Sequence, residues 1–336
     1  MARILDLDPA TYVRHRIHGG ARVGEAAPER IWAETNCYTD VVIELLHGMG
    51  FEPMAALPFT LTIDLDVDQW TFFKFPHADV ERLYALGIHE LAPWRGLATH
   101  VQEQVAAGRP VLVELDSCFL PDTVGTAYRT AHVKSTVAVN AIDLDADGVH
   151  GTMEYFHNQG YHALAGEDFV DVYQTTGLVH PRMLPPYIEF VKPVPRQSAL
   201  RGPTLVDGSL ALLRHHLARV PVANPFVAFD ARFQADLPAL LASDIAVFHA
   251  YSFATLRQYG ACFELADTYL GWLRESGVDV PERASSAFGA ISSATKQLQF
   301  QLARAMVRRR GLDVTALRTM AGLWDDAMGD LVARFG

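Results

Sequence analysis

The chain is poor in cysteine, in basic charge and in long apolar runs. Three cysteines in 336 residues cannot make the disulfide framework of a small secreted scaffold. No apolar run reaches the length that spans a bilayer, and the opening "MARILDLDPATYVRHRIHGG" is too polar and acidic for a signal peptide. The expectation is a cytoplasmic protein with no membrane partner. Lys and Arg number 28 against 39 Asp and Glu, a net charge of −11, which argues against a general nucleic-acid binder. Glycine loops of the Rossmann or P-loop kind are missing, so no nucleotide is implied. The histidines of "HRIHGG" and "HNQGYH" (His15, His18, His157, His162) have no Cys or carboxylate at metal-ligand spacing, so no metal is expected.

What is present is ample apolar material, 50% of residues, enough for one large core or two smaller ones. Residues 57–75 are rich in β-branched and aromatic side chains and read as one or two strands turning near Asp66–Asp68. "HADVERLYALG" and "GLATHVQEQVAAG" read as helices ending at Gly87 and Gly108. "RPVLVELD" (109–116) and "STVAVNAIDL" (135–144) read as strands. "DADG" is a turn, and "VHGTMEYF" (149–156) returns as the second arm of a hairpin. A short helix at "GEDFVDVYQ" and a strand at "PPYIEFVKPV" (185–194) follow. The Pro-rich stretch 192–203 marks a boundary, after which helical periodicity takes over. The expected fold class is α+β: a mixed domain with an antiparallel sheet over 1–200, then an α-helical domain over 201–336.

Within "AETNCYTDVVIELLHGMGFEP", apolar residues at Tyr38, Val41, Val42, Leu45, Leu46 and Met49 give a helix with one buried face. Thr35 or Asn36 would cap it, and Gly48 and Gly50 would end it. Cys37 then stands in the first turn, where unpaired N–H groups and the helix dipole favour a thiolate. Such a nucleophile needs a base, and the base needs an orienting partner. His132, before the 135–144 strand, can serve as base. The adjacent strand offers Glu154 within it and Asn158 just past its end. Cys118 and Cys262 read as core or pocket-lining thiols.

The run "GRPVLVELDSCFLPDT…AHVKSTVAVNAIDLDADGVHGTMEYFHNQGY…LAGEDF" resembles the N-terminal domain of the butirosin-type acyltransferases. It is similar, through them, to the papain-like core of bacteriocin-processing peptidases. More closely, the chain resembles a bacterial family named only as a domain of unknown function, on "ETNCY", "DSCFLPDT" and "EYFHNQGY". The core resemblance covers about residues 30–195. It implies a papain-like fold, with Cys37 as nucleophile and His132 as base. Where the acyltransferases have an Asp as orienter, this chain has "TMEYFHN", which makes Glu154 the first choice and Asn158 the second. The Cys37 N–H, with Asn36 in support, would hold the oxyanion, and Asp116, at the end of its strand, is a further candidate orienter or oxyanion support that would reach the pocket.

The implied activity is acyl or aminoacyl transfer. An acyl group would pass from the phosphopantetheine thioester of a carrier protein to Cys37, and then to a small-molecule or protein amine. No bound cofactor is called for. A cysteine hydrolase with the same triad is the alternative, and a non-catalytic binding protein a third class. Because carrier proteins are commonly acidic, the basic run at Arg308, Arg309 and Arg310 is the candidate docking patch. Those arginines would also complement a helix C-terminus.

Overall fold

The structure is a computed structural model that describes residues 2–20, 30–33, 36–146, 148–175 and 186–336. In chain order its regular elements are β1 (Ala2–Arg3), α1 (Cys37–Gly48), β2 (Leu65–Asp66), β3 (Gln69–Trp70), α2 (His77–Tyr84), β4 (Leu86–Glu90), α3 (Leu97–Ala106), β5 (Val111–Asp116), β6 (Lys134–Leu144), β7 (Gly151–His157), β8 (Gly160–Ala165), α4 (Glu167–Thr175), β9 (Ile188–Pro193), α5 (Gly202–Leu217), α6 (Pro225–Ala242), α7 (Ile245–Ala254), α8 (Leu256–Glu275), α9 (Glu282–Arg308) and α10 (Thr315–Phe335). The class is mixed α and β, with an antiparallel sheet followed by a helical C-terminal region. No described helix is long and apolar enough to cross a membrane.

The chain divides into two compact units that are not continuous in sequence. One holds Met1–Pro28, Asn36–Pro53 and Val80–Ala199; the other holds Glu29–Thr35, Met54–Asp79 and Leu200–Gly336.

The first unit is built on a sheet of order β4-β9-β5-β6-β7-β8, with β1 beside the far half of β6. Its pairings are antiparallel. The central strand β6 is buried on both faces, so its side chains must satisfy two neighbours. One set, with Val137 and Val139, joins Val111, Val113, Leu115 and Tyr155 in a core closed by α3 and α4 through Val101, Val105, Phe169 and Val172. The other face lies under α1, which packs on β6 and β7. Thr136 and Ala138 there are small enough to let a helix approach. Gly48 does the same at the helix end, since a Cβ would sit 2.7 Å from the Phe156 ring.

The helix α1 buries two carboxylates, Asp40 and Glu44. Burial of unpaired charge is costly, and the N-terminal segment supplies the partners. His18 Nδ1 lies 2.5 Å from Glu44 Oε1 and its Nε2 3.0 Å from Asp40 Oδ1. Tyr12 Oη donates to Glu44 Oε2 at 2.5 Å, and the His15 N–H reaches the same carboxylate. Burial pulls the His18 imidazole down, but Asp40 and Glu44 outweigh it and hold its pKa above the ordinary value. Asn140 completes the attachment by exchanging hydrogen bonds with the backbone of Leu5 at 2.8 and 3.0 Å.

In the second unit, residues 54–79 pack with the C-terminal helices rather than with the sheet. Trp70 lies against Phe226, Phe229 and Tyr259. This corrects the strand expectation for 57–75: Pro53–Thr62 is a 3-10 helix, and only the two-residue strands β2 and β3 follow. An apolar run buried on all sides shows no period that separates strand from helix. Residues 77–87 also differ from expectation. α2 stops at Tyr84, Ala85 takes a positive φ of 54°, and Leu86–Glu90 forms the edge strand β4.

Candidate active site

Cys37 is the first residue of α1, half-buried, with Asn36 as N-cap: its Oδ1 accepts from the Thr39 N–H at 2.8 Å. Thr35, the other expected cap, lies outside the described residues. The Cys37 thiol donates to Thr136 Oγ1 at 3.7 Å. In the β5–β6 register Thr136 stands opposite Glu114, and Lys134 opposite Asp116. Side chains two apart along a strand share a face, so these four form one polar row beginning at the thiol. The Lys134 ammonium pairs with Glu114 Oε1 at 2.6 Å. At the far end His132 Nδ1 lies 2.6 Å from Asp116 Oδ2, while Asp116 Oδ1 accepts from the Cys118 N–H at 3.0 Å. A carboxylate on Nδ1 fixes the tautomer with Nε2 as the acceptor.

The carboxylate beside His132 is therefore Asp116, from the preceding strand, and not Glu154. In the β6–β7 register Glu154 faces Ala141, beyond an irregularity between Val139 and Ala141. There it accepts from Arg3 at 2.5 Å and from Tyr161 Oη at 2.7 Å. Asn158 lies beside a different histidine. It takes a positive φ of 48° in the turn between β7 and β8, with Nδ2 3.5 Å from His157 Nδ1. Nor are Cys37 and His132 in hydrogen-bond contact: the thiol is on Thr136, four residues from His132, about 13 Å along an extended strand. The His132 side chain is 74% exposed.

Beside Cys37, Tyr38 Oη donates to the buried Glu189 at 2.9 Å, and Tyr187 Oη to its other oxygen at 2.7 Å. The remaining thiols, Cys118 and Cys262, are buried and outside any disulfide. Burial pushes the Cys262 thiol well up. Arg308, Arg309 and Arg310 are exposed at the end of α9, where Arg309 takes a positive φ of 52° and donates to the Leu241 carbonyl at 2.7 Å. Among the described residues no group of three or more His, Cys, Asp and Glu is arranged to hold a metal ion.

The fold and this row define a two-part protein: a sheet unit bearing a cysteine in the first turn of a helix and a carboxylate-paired histidine, and a helical unit. Its sequence matches the DUF1839 N-terminal domain over residues 21–193 and the DUF1839 C-terminal domain over 202–333, and the chain belongs to that family. No curated protein matches it.

Proposed function

We propose that this protein is a cysteine-dependent acyl or aminoacyl transferase with a papain-like site, in which Cys37 is the nucleophile, His132 the base and Asp116 the residue that orients the base. The observation that carries this reading is the shared face: a half-buried thiol in the first turn of α1 and a carboxylate-oriented imidazole lie on the same side of the sheet. The first-turn N–H groups and the helix dipole favour a thiolate and then an oxyanion. Proton transfer between the two requires the His132 ring to approach the sulfur. Its side chain is exposed, hydrogen-bonded to Asp116 and edge-on to the Phe119 ring.

The thiolate attacks the thioester carbonyl of a donor such as a phosphopantetheine arm, the donor thiol leaves with a proton, and an acyl-Cys37 enzyme remains. An amine acceptor then takes the acyl group while His132 accepts its proton. Thioester exchange is nearly balanced in energy, and thiolates both attack and leave well. Exposed Arg308, Arg309 and Arg310 give an acidic carrier protein a place to dock on an otherwise acidic chain.

Intact-protein mass spectrometry after incubation with acyl-loaded carrier proteins tests the proposal. An acyl adduct on Cys37 that persists without amine and clears with it is expected. Rapid loss of the adduct to free acid would assign a hydrolase instead. His132→Ala should slow acylation by about 10²–10⁴-fold. Full turnover by Cys37→Ala would overturn both readings.

A further inference from the structure

On the opposite face of β6, one residue before Thr136, stands a second constellation. Ser135 Oγ lies 2.6 Å from His157 Nε2, and His157 Nδ1 lies 2.6 Å from Asp122 Oδ2. Asp122 Oδ1 accepts from Tyr155 Oη at 2.6 Å. Three separate pieces of chain meet here: the start of β6, the end of β7, and the short 3-10 turn Pro121–Thr123. We propose that Ser135 is a second nucleophile of this protein, activated by His157 and positioned by Asp122, and that it takes the acyl group of small, uncharged carboxylic esters. This site is independent of Cys37 and goes beyond the transfer reaction proposed above.

The atoms are in the order that a serine nucleophile needs. A carboxylate on Nδ1 makes that nitrogen the N–H donor, which leaves Nε2 to accept the serine proton. The Tyr155 hydroxyl holds the carboxylate in place. Burial raises the Asp122 pKa, but the hydrogen bond and charge of His157, with His162 and Tyr155, outweigh it and keep the carboxyl below its ordinary value. It is ionised at neutral pH and available to stabilise an imidazolium. The substrate class follows from the lining. Ser135 is only 7% exposed, which disfavours a bulky acyl group. The cluster carries one carboxylate and no Lys or Arg, which disfavours an anionic substrate. Asn158 and His162, which follow His157 in the chain, are half-buried.

The reaction runs as follows. The Ser135 hydroxyl proton passes to His157 Nε2 as Oγ bonds to the ester carbonyl carbon. The tetrahedral adduct collapses, the ester C–O bond breaks, and the departing alcohol takes the proton from His157. Water then repeats the sequence on acyl-Ser135 and releases the acid.

The whole chain is incubated with a small alkyl fluorophosphonate, and the modified peptide is located by mass spectrometry. The expected result is one phosphonyl group on Ser135, with fluoride released. The modification should be absent from Ser135→Ala. In Asp122→Asn, whose amide favours the wrong histidine tautomer, it should slow by on the order of 10³–10⁴-fold while circular dichroism shows the fold retained. The same three proteins should rank in the same order in hydrolysis of p-nitrophenyl acetate at the Ser135 site. An unmodified Ser135 in the folded wild type would overturn the proposal and leave the cluster as a clamp on the 117–133 loop. So would labelling of equal rate in Asp122→Asn. If Asp122→Asn does not fold, His157→Gln takes its place with the same expected loss.

Discussion

Two histidine–carboxylate pairs of the same length and opposite setting lie near the start of β6, on opposite faces of the sheet. His132–Asp116 and His157–Asp122 are both 2.6 Å apart. The first histidine side chain is 74% exposed and the second 1%. The difference teaches what each pair can be used for. An exposed pair is screened, holds its ring loosely and can move toward a partner. A buried pair is fixed, cannot be broken cheaply, and must already have its reaction partner at hand. Ser135 is in contact with His157, whereas Cys37 is not in contact with His132.

The contrast is broken most directly by removing each carboxylate. Asp122→Ala strands a buried imidazole and the Tyr155 hydroxyl, and should cost about 3–5 kcal/mol of unfolding free energy in a urea titration. An acid titration sharpens it next. Because the Asp122 pKa is depressed in the fold, its contribution is present above the ordinary carboxyl range and is lost as pH falls through the lower, folded value. The stability gap between wild type and Asp122→Asn should therefore close as pH falls through and below the ordinary carboxyl range. A gap that stayed constant would mean the carboxylate is not linked to folding. The smallest effect belongs to the exposed pair. Asp116→Ala should cost no more than about 1 kcal/mol, and added salt should shrink that further. Equal losses for Asp116→Ala and Asp122→Ala would erase the distinction between the faces.

Much of this sheet was legible from the chain alone. The hairpin of β6 and β7 showed in its apolar pattern and its DADG turn, and Cys37 at a helix start showed in the heptad-like spacing after Asn36. What was not legible was register. A strand pattern states which residues are extended but not which residue faces which, and a one-residue change moves every side chain to the other face. Glu154 looked close to His132 because it lies on the neighbouring strand. Pairing then set it opposite Ala141, next to Arg3. Asp116, at a strand end, was visible as a further candidate near the pocket but ranked behind Glu154. Ser135 escaped for the same reason: that it and Thr136 face opposite ways decides which histidine each one meets, and sequence spacing does not encode the Pro121–Thr123 turn that brings in Asp122. The 3-10 segment 53–62 was misread because its apolar residues serve the helical unit and follow no strand alternation.

The tether between α1 and the first twenty residues bears on how the family domain can be handled as a module. The DUF1839 N-terminal match begins at residue 21, after β1, Tyr12, His15 and His18. A fragment cut at that boundary would take from Glu44 its imidazole, its phenol and its backbone donor together, and would take from β6 the strand that borders Ala141 and Ile142. The helix that presents Cys37 would then hold an uncompensated carboxylate in its packed face. The smallest self-sufficient piece of this fold is therefore longer than its sequence family boundary, and the opening segment belongs to the domain as a structural part of it.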